Sequence, residues 1–163
     1  MSTDSTHTTW KDYPTGKIPK GAFCEHCARF SVRNSTVEII AHNAQGQILM
    51  VKRGLDPQAG WWALPGGYVD WDETLVETAI RELFEETGLR AKTMIFFRLN
   101  DDIYRDFDGR QNIGHCFIAT GLSGELKKQD EEIEDIQWFP PSKLPEKIAF
   151  DHKKIIDEYV KTV

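Results

Sequence analysis

The sequence is poor in several features, and each shortage excludes a class of protein. Three cysteines in 163 residues are too few for a disulfide scaffold and odd in number, so reduced thiols in a cytoplasmic protein are expected. No apolar run approaches the roughly 18 residues that cross a bilayer, so no membrane partner is expected. The first 20 residues lack a basic segment followed by an apolar one and do not read as a secretory signal. Basic excess is absent too: 20 Lys and Arg face 26 Asp and Glu, a net charge of -6, which argues against a specific nucleic-acid partner. What is present is a core. Hydrophobic residues make up 40% and aromatics 11%, which suffices for one folded domain and excludes a disordered chain.

Along the chain the texture changes near residue 35. Residues 1–34 read as an N-terminal arm that carries Cys24-Glu25-His26-Cys27; residues 35–163 read as the folded domain. Thr36 to Ala41 (TVEIIA) and Gln47 to Lys52 (QILMVK) are β-rich and flank a turn at Asn43 to Gly46, which predicts a hairpin. Ala63-Leu64-Pro65-Gly66-Gly67 demands irregular backbone. Glu73 to Thr87 is the clearest helix, closed by Gly88. Strands are predicted at Lys92 to Leu99, Ile113 to Thr120 and Glu134 to Phe139, and a closing helix at about Asp151 to Val160. Strands on both sides of one central helix suggest an α/β (α+β) sandwich with a mixed sheet.

The acidic excess is not spread evenly. At about 100° per residue, Glu82, Glu85 and Glu86 share one arc of the central helix, and Val76, Ala79, Ile80 and Leu83 form an adjoining core-facing arc. Like charges at these spacings repel, and two of them sit near the helix C-terminus, where the dipole disfavours anions. A bound divalent cation offsets such a cost; a solvated face with Arg81 and Arg90 as counterions is the alternative.

The spacing decides between them. Gly67, five residues, Glu73, seven residues, then Arg81-Glu82-Leu83-Phe84-Glu85-Glu86-Thr87-Gly88-Leu89 fills every fixed position of a 23-residue pattern. On these residues the chain resembles the Nudix hydrolase superfamily, nearest to members such as the ADP-ribose and NADH pyrophosphatases. The resemblance implies the Nudix α/β/α sandwich with a loop-helix-loop catalytic motif. It also implies hydrolysis of a nucleoside diphosphate linked to a further group X, by water attack on phosphorus with Mg²⁺, for which Mn²⁺ may substitute. Carried over, Gly66 (by its carbonyl), Glu82, Glu85 and Glu86 would hold metal, and Glu82 could instead accept a proton from the attacking water. Arg81 would orient the carboxylates, and Glu73 would stabilise the motif. Glu132, with Glu131 next, fits a further ligand or general base ahead of Trp138-Phe139. Arg53, Trp62 and Phe150 are the substrate-facing candidates; Trp61, Tyr104, Phe107 and His115 are weaker ones.

Metal dependence also follows from the residue types, because an acidic face and a diphosphate repel one another without a cation between them. Cys24 and Cys27 have zinc-knuckle spacing, but the second cysteine pair of a zinc ribbon is missing, so an intact zinc site is not expected. The expected substrate is a small nucleotide, ADP-ribose or a related dinucleotide or nucleotide sugar. Nucleotide-pool-sanitising hydrolysis of a nucleoside triphosphate is the alternative, and a non-catalytic ligand sensor a more distant one. Homodimerisation stays open.

Overall fold

The computed structural model describes residues 23–24, 29–30, 33–106, 110–128 and 132–163. The residues 1–22, Cys27, Phe107 and Glu131 lie outside them, and with them the question of zinc at Cys24 and Cys27. Two short strands, β1 (Phe23–Cys24) and β2 (Arg29–Phe30), pair antiparallel. The rest is built on β3 (Ser35–Ala41), β4 (Ile48–Arg53), β5 (Trp62–Ala63), α1 (Leu75–Thr87), β6 (Thr93–Asn100), β7 (Ile113–Thr120), β8 (Ile133–Phe139) and α2 (His152–Val160). β3 runs parallel to β7, and β7 antiparallel to β6, giving a mixed sheet; β5, β4 and β8 form a second, antiparallel sheet.

Alternation along β3 shows how the layers form. Val37, Ile39 and Ala41 join Ala79 and Leu83 of α1 in one core cluster, whereas Ile40 joins Ile155, Ile156 and Tyr159 of α2 in another. Each fully buried Ile or Leu contributes about 1.5–3 kcal/mol relative to exposure.

Three expectations are corrected. The turn at Asn43 to Gly46 forms, with the Asn43 side chain accepting from the N–H groups of Gln45 and Gln47. No hairpin follows, because β3 and β4 share only the His42–Ile48 bridge and then enter different sheets. Both strands carry near-continuous buried runs, so both faces need cover, and each takes its partner from a remote strand. Along α1, Val76 and Ile80 are 42% and 40% exposed; the buried line is Thr78, Ala79, Leu83, Glu86 and Thr87. The helix also starts later than Glu73, because Thr74 and Glu77 form a reciprocal capping box that fixes its first turn.

Candidate active site

The site begins where the glycine loop runs along β3. The carbonyls of Pro65 and Gly67 accept from the N–H groups of Ile39 and Val37 at 2.8 and 2.9 Å. Among the described residues, the Gly66 carbonyl between them accepts no backbone hydrogen bond. Gly66 has φ +154°, and a Cβ there would lie 3.0 Å from the Val37 carbonyl carbon and closer still to its oxygen. A Cβ on Gly67 would press on the Glu82 carboxylate. Close approach to the β3 backbone therefore demands glycine at position 66, and close approach to the Glu82 carboxylate favours it at position 67.

Arg81 is the hub of the helix carboxylates. Its Nε and Nη2 donate to Glu73 at 2.7 and 2.9 Å, and its Nη1 donates to Glu82 at 2.8 Å and to Glu85 at 3.0 Å. The bidentate pair to Glu73 holds the Arg81 guanidinium firmly charged and keeps the Glu73 carboxyl below its usual range. Glu82 is largely buried, which raises its pKa despite Arg81. Glu86 is 7% exposed and accepts the Gly66 N–H at 2.9 Å. Burial lifts its pKa well above the ordinary carboxylate value, and Glu82 and Glu132 add to the effect.

The three helix carboxylates thus differ in setting: Glu86 buried against the glycine loop, Glu82 partly buried, Glu85 exposed. Among the described residues, no three His, Cys, Asp or Glu side chains are gathered as a closed ligand set. Each helix carboxylate is turned instead to Arg81 or to the Gly66 N–H. The donor set is all oxygen, and one member is a buried carboxylate with like charges nearby. That chemistry fits a hard divalent cation.

Gly66, Arg81, Glu82 and Glu86 border a cleft of about 350 Å³. Glu132, just before β8, reaches the same cleft, and among the described residues its carboxylate has no hydrogen-bond or ion-pair partner. Arg53, at the end of β4, lines it too, donating to the carbonyls of Pro57 and Leu55 at 2.9 and 3.3 Å. Burial lowers the Arg53 pKa, and Glu86 opposes that shift. The Phe150 ring stacks on Arg53, with 5.0 Å from guanidinium carbon to ring centroid. Phe150 holds a left-handed φ of 54°, a costly conformation for an aromatic, and its N–H donates to Gln58. Trp62 is placed elsewhere: its indole packs edge-on against Phe139, 4.8 Å between centroids, as part of the α2-side core. Trp61 packs in a third cluster with Val51 and Ala149, Tyr104 is solvent-exposed, and His115 Nδ1 lies 3.1 Å from the Thr36 carbonyl.

Sequence reasoning missed a buried polar cluster on the cleft. Glu38 of β3 pairs with Arg105 at 2.6 Å, and Arg105 reaches Asp151 at 3.4 Å; Asn100 bonds Asp151 as well. His152 Nδ1 accepts the Leu64 N–H at 2.9 Å, so its ring carries its proton on Nε2. Burial drops the His152 pKa to about 4. The one available signal was Glu38 itself, a lone carboxylate inside the otherwise apolar TVEIIA run.

Family comparison agrees with this geometry. The NUDIX domain profile matches residues 32–159. The chain belongs to the Nudix family. It is 40% identical over 115 residues to the ADP-ribose pyrophosphatase of Methanocaldococcus jannaschii, an alignment covering 71% of this chain and 66% of that protein. The NUDIX domain of Shewanella oneidensis NrtR, solved in complex with ADP ribose, superposes with a TM-score of 0.72 at 28% identity, covering 82% of this chain and 90% of that one. A bifunctional NMN adenylyltransferase/ADP ribose pyrophosphatase from Francisella tularensis, complexed with AMP and a Mn ion, superposes with a TM-score of 0.69 at 27% identity, covering 84% and 44%. No helix among the described residues is long and apolar enough to cross a membrane.

Proposed function

We propose that this chain is a divalent-metal-dependent Nudix pyrophosphohydrolase that cleaves a nucleoside diphosphate linked to X, with ADP-ribose as its substrate. The observation that carries this is the convergence of Glu82, Glu86, Glu132 and the Gly66 backbone on one cleft beside Arg53. The named Methanocaldococcus relative and the ADP-ribose complex of the NrtR domain support the choice of ADP-ribose. The Mn ion in the Francisella protein supports a divalent cation.

Glu82, Glu85, Glu86 and the Gly66 carbonyl would hold Mg²⁺ or Mn²⁺. Bound there, the cation supplies charge neutralisation for the diphosphate and a more acidic water. Arg81 keeps Glu82 and Glu85 oriented while its bond to Glu73 anchors it to the start of the helix. Glu132, whose carboxylate has no partner among the described residues, accepts a proton from the attacking water. Water oxygen bonds to phosphorus, the anhydride P–O bond breaks, and AMP leaves from ribose 5-phosphate. Arg53, which lines the cleft and stacks on Phe150, would receive a phosphate oxygen.

The test is product analysis by chromatography on ADP-ribose and dGTP, each with Mg²⁺, with Mn²⁺ and with EDTA. AMP from ADP-ribose only with metal, and loss of that turnover in Glu86→Gln, is the expected result. Production of dGMP and pyrophosphate in preference to AMP would transfer the enzyme to triphosphates. Metal-dependent turnover preserved in Glu86→Gln would remove Glu86 from the site.

A further inference from the structure

The cleft holds buried polar atoms whose hydrogen-bonding capacity is unspent. Asn112 is 5% exposed. Its backbone N–H donates to Asp106 at 2.6 Å and its side-chain nitrogen to the Tyr68 hydroxyl at 3.3 Å. Its Oδ1 meets no donor among the described residues. Arg105, also 5% exposed, uses Nη2 for Glu38 and Asp151, whereas its Nε and Nη1 meet no acceptor there. Both side chains come from the segment between β6 and β7. The guanidinium packs on Gly114, two residues after Asn112, where an added Cβ would strike Nη1 and lie 2.6 Å from Glu38 Oε1. Both residues line the cleft.

Buried polar groups are nearly always paired, so an unspent acceptor and two unspent donors on one cleft, without partners among the described residues, point to a group received there. Around Arg105 the carboxylates outnumber the cation, Glu38 and Asp151 against one guanidinium, so the partner is not a further phosphate. We infer that Asn112 and Arg105 are specificity-determining residues that receive a neutral group of the substrate able both to donate and to accept hydrogen bonds. An adenine amino edge and a ribose hydroxyl share that chemistry. The inference rests on the cleft being the pyrophosphohydrolase site.

The experiment compares kcat/KM of the wild-type chain and of Asn112→Ala, both with Mn²⁺. The substrates are ADP-ribose, its hypoxanthine analogue lacking the amino donor, and its analogue lacking the adenosine 2′-hydroxyl. The wild type should prefer ADP-ribose to one of the two analogues by about tenfold or more. In Asn112→Ala, activity on ADP-ribose should fall by a similar factor and activity on that analogue by much less, so the preference collapses. The analogue affected tells base from ribose. A wild type that does not discriminate, or a variant that loses equally on all three, would overturn the assignment. Should Asn112→Ala fail to fold, Asn112→Ser, which withdraws the amide oxygen but keeps a small polar side chain, takes its place with the same expected collapse of the preference. Absence of turnover on every substrate is a different result, and it would overturn the reading of the site itself along with this one.

Discussion

Alanine at Gly66 and alanine at Gly67 should damage the protein in different ways. At Gly67 the added Cβ would lie 2.5 Å from Glu82 Cδ and 2.7 Å from Oε2. Carbon atoms prefer about 3.5 Å or more, so the carboxylate must retreat by roughly 1 Å. It is the end of a flexible side chain and can do so, which keeps the stability loss below about 1 kcal/mol. The retreat pulls Glu82 from its 2.8 Å bond to Arg81. A displacement of that size costs about 10²-fold in kcat/KM, or roughly 2.7 kcal/mol of barrier. At Gly66 the obstacle is the β3 backbone, with Val37 C at 3.0 Å and Glu38 Cα at 3.1 Å, and the φ of +154° is itself unfavourable to alanine. There the strand must shift, at about 2–4 kcal/mol, which lowers Tm by roughly 5–15 °C in a domain of this size. Circular dichroism melting and steady-state turnover, run on both variants, separate the effects. If Gly67→Ala melts as low as Gly66→Ala, or keeps wild-type kcat/KM, then Glu82 does not press on Gly67 as described.

Other outcomes follow from the same geometry. Glu86→Gln should stabilise the EDTA-treated protein at neutral pH: burial raises the folded pKa of Glu86, so the wild type loses stability as pH rises through it while the amide does not. Melting curves should show the gap open above about pH 4.5 and close below it. Arg81→Lys cannot reproduce four hydrogen bonds to three carboxylates, so kcat should fall about 10–100-fold with KM little changed, as initial-rate kinetics would show. His152 has a depressed folded pKa, so its contribution to stability is lost as pH falls from 6.5 through about 4. NMR should find its ring still neutral and protonated on Nε2 at pH 5; an imidazolium there would contradict its buried bond to Leu64. Thr74→Ala breaks the capping box and should cost about 1 kcal/mol, a drop of about 2–4 °C in Tm, with kcat unaffected.

The carboxylate-bearing half of the site was legible because it is local. Gly67 through Leu89 is one loop and one helix, and helical spacing alone sets the relation of Arg81 to Glu82 and Glu85. Glu86 was named from its spacing, but its burial was not, since burial depends on how far α1 rolls toward the glycine loop. The same roll exposes Val76 and Ile80, which a helical wheel assigns to the core. Trp62 was read as facing substrate and packs on Phe139, a residue 77 positions away that β4 and β8 bring alongside.

By itself, then, the sequence determined the motif, the helix that carries it and most strand positions, all of which are encoded in short-range spacing and residue chemistry, and it raised the expectation of a cation. Tertiary structure alone decided that β3 and β4 part into separate sheets, because their pairing is settled by competition with β7 and β8. It also decided that Glu38, Arg105, Asn112 and His152 meet at the same cleft, with Asp151 paired to Arg105 beside it. Those five residues come from β3, the segment before β7 and the start of α2. No local pattern brings them together; only the parallel pairing of β3 with β7 and the packing of α2 do so.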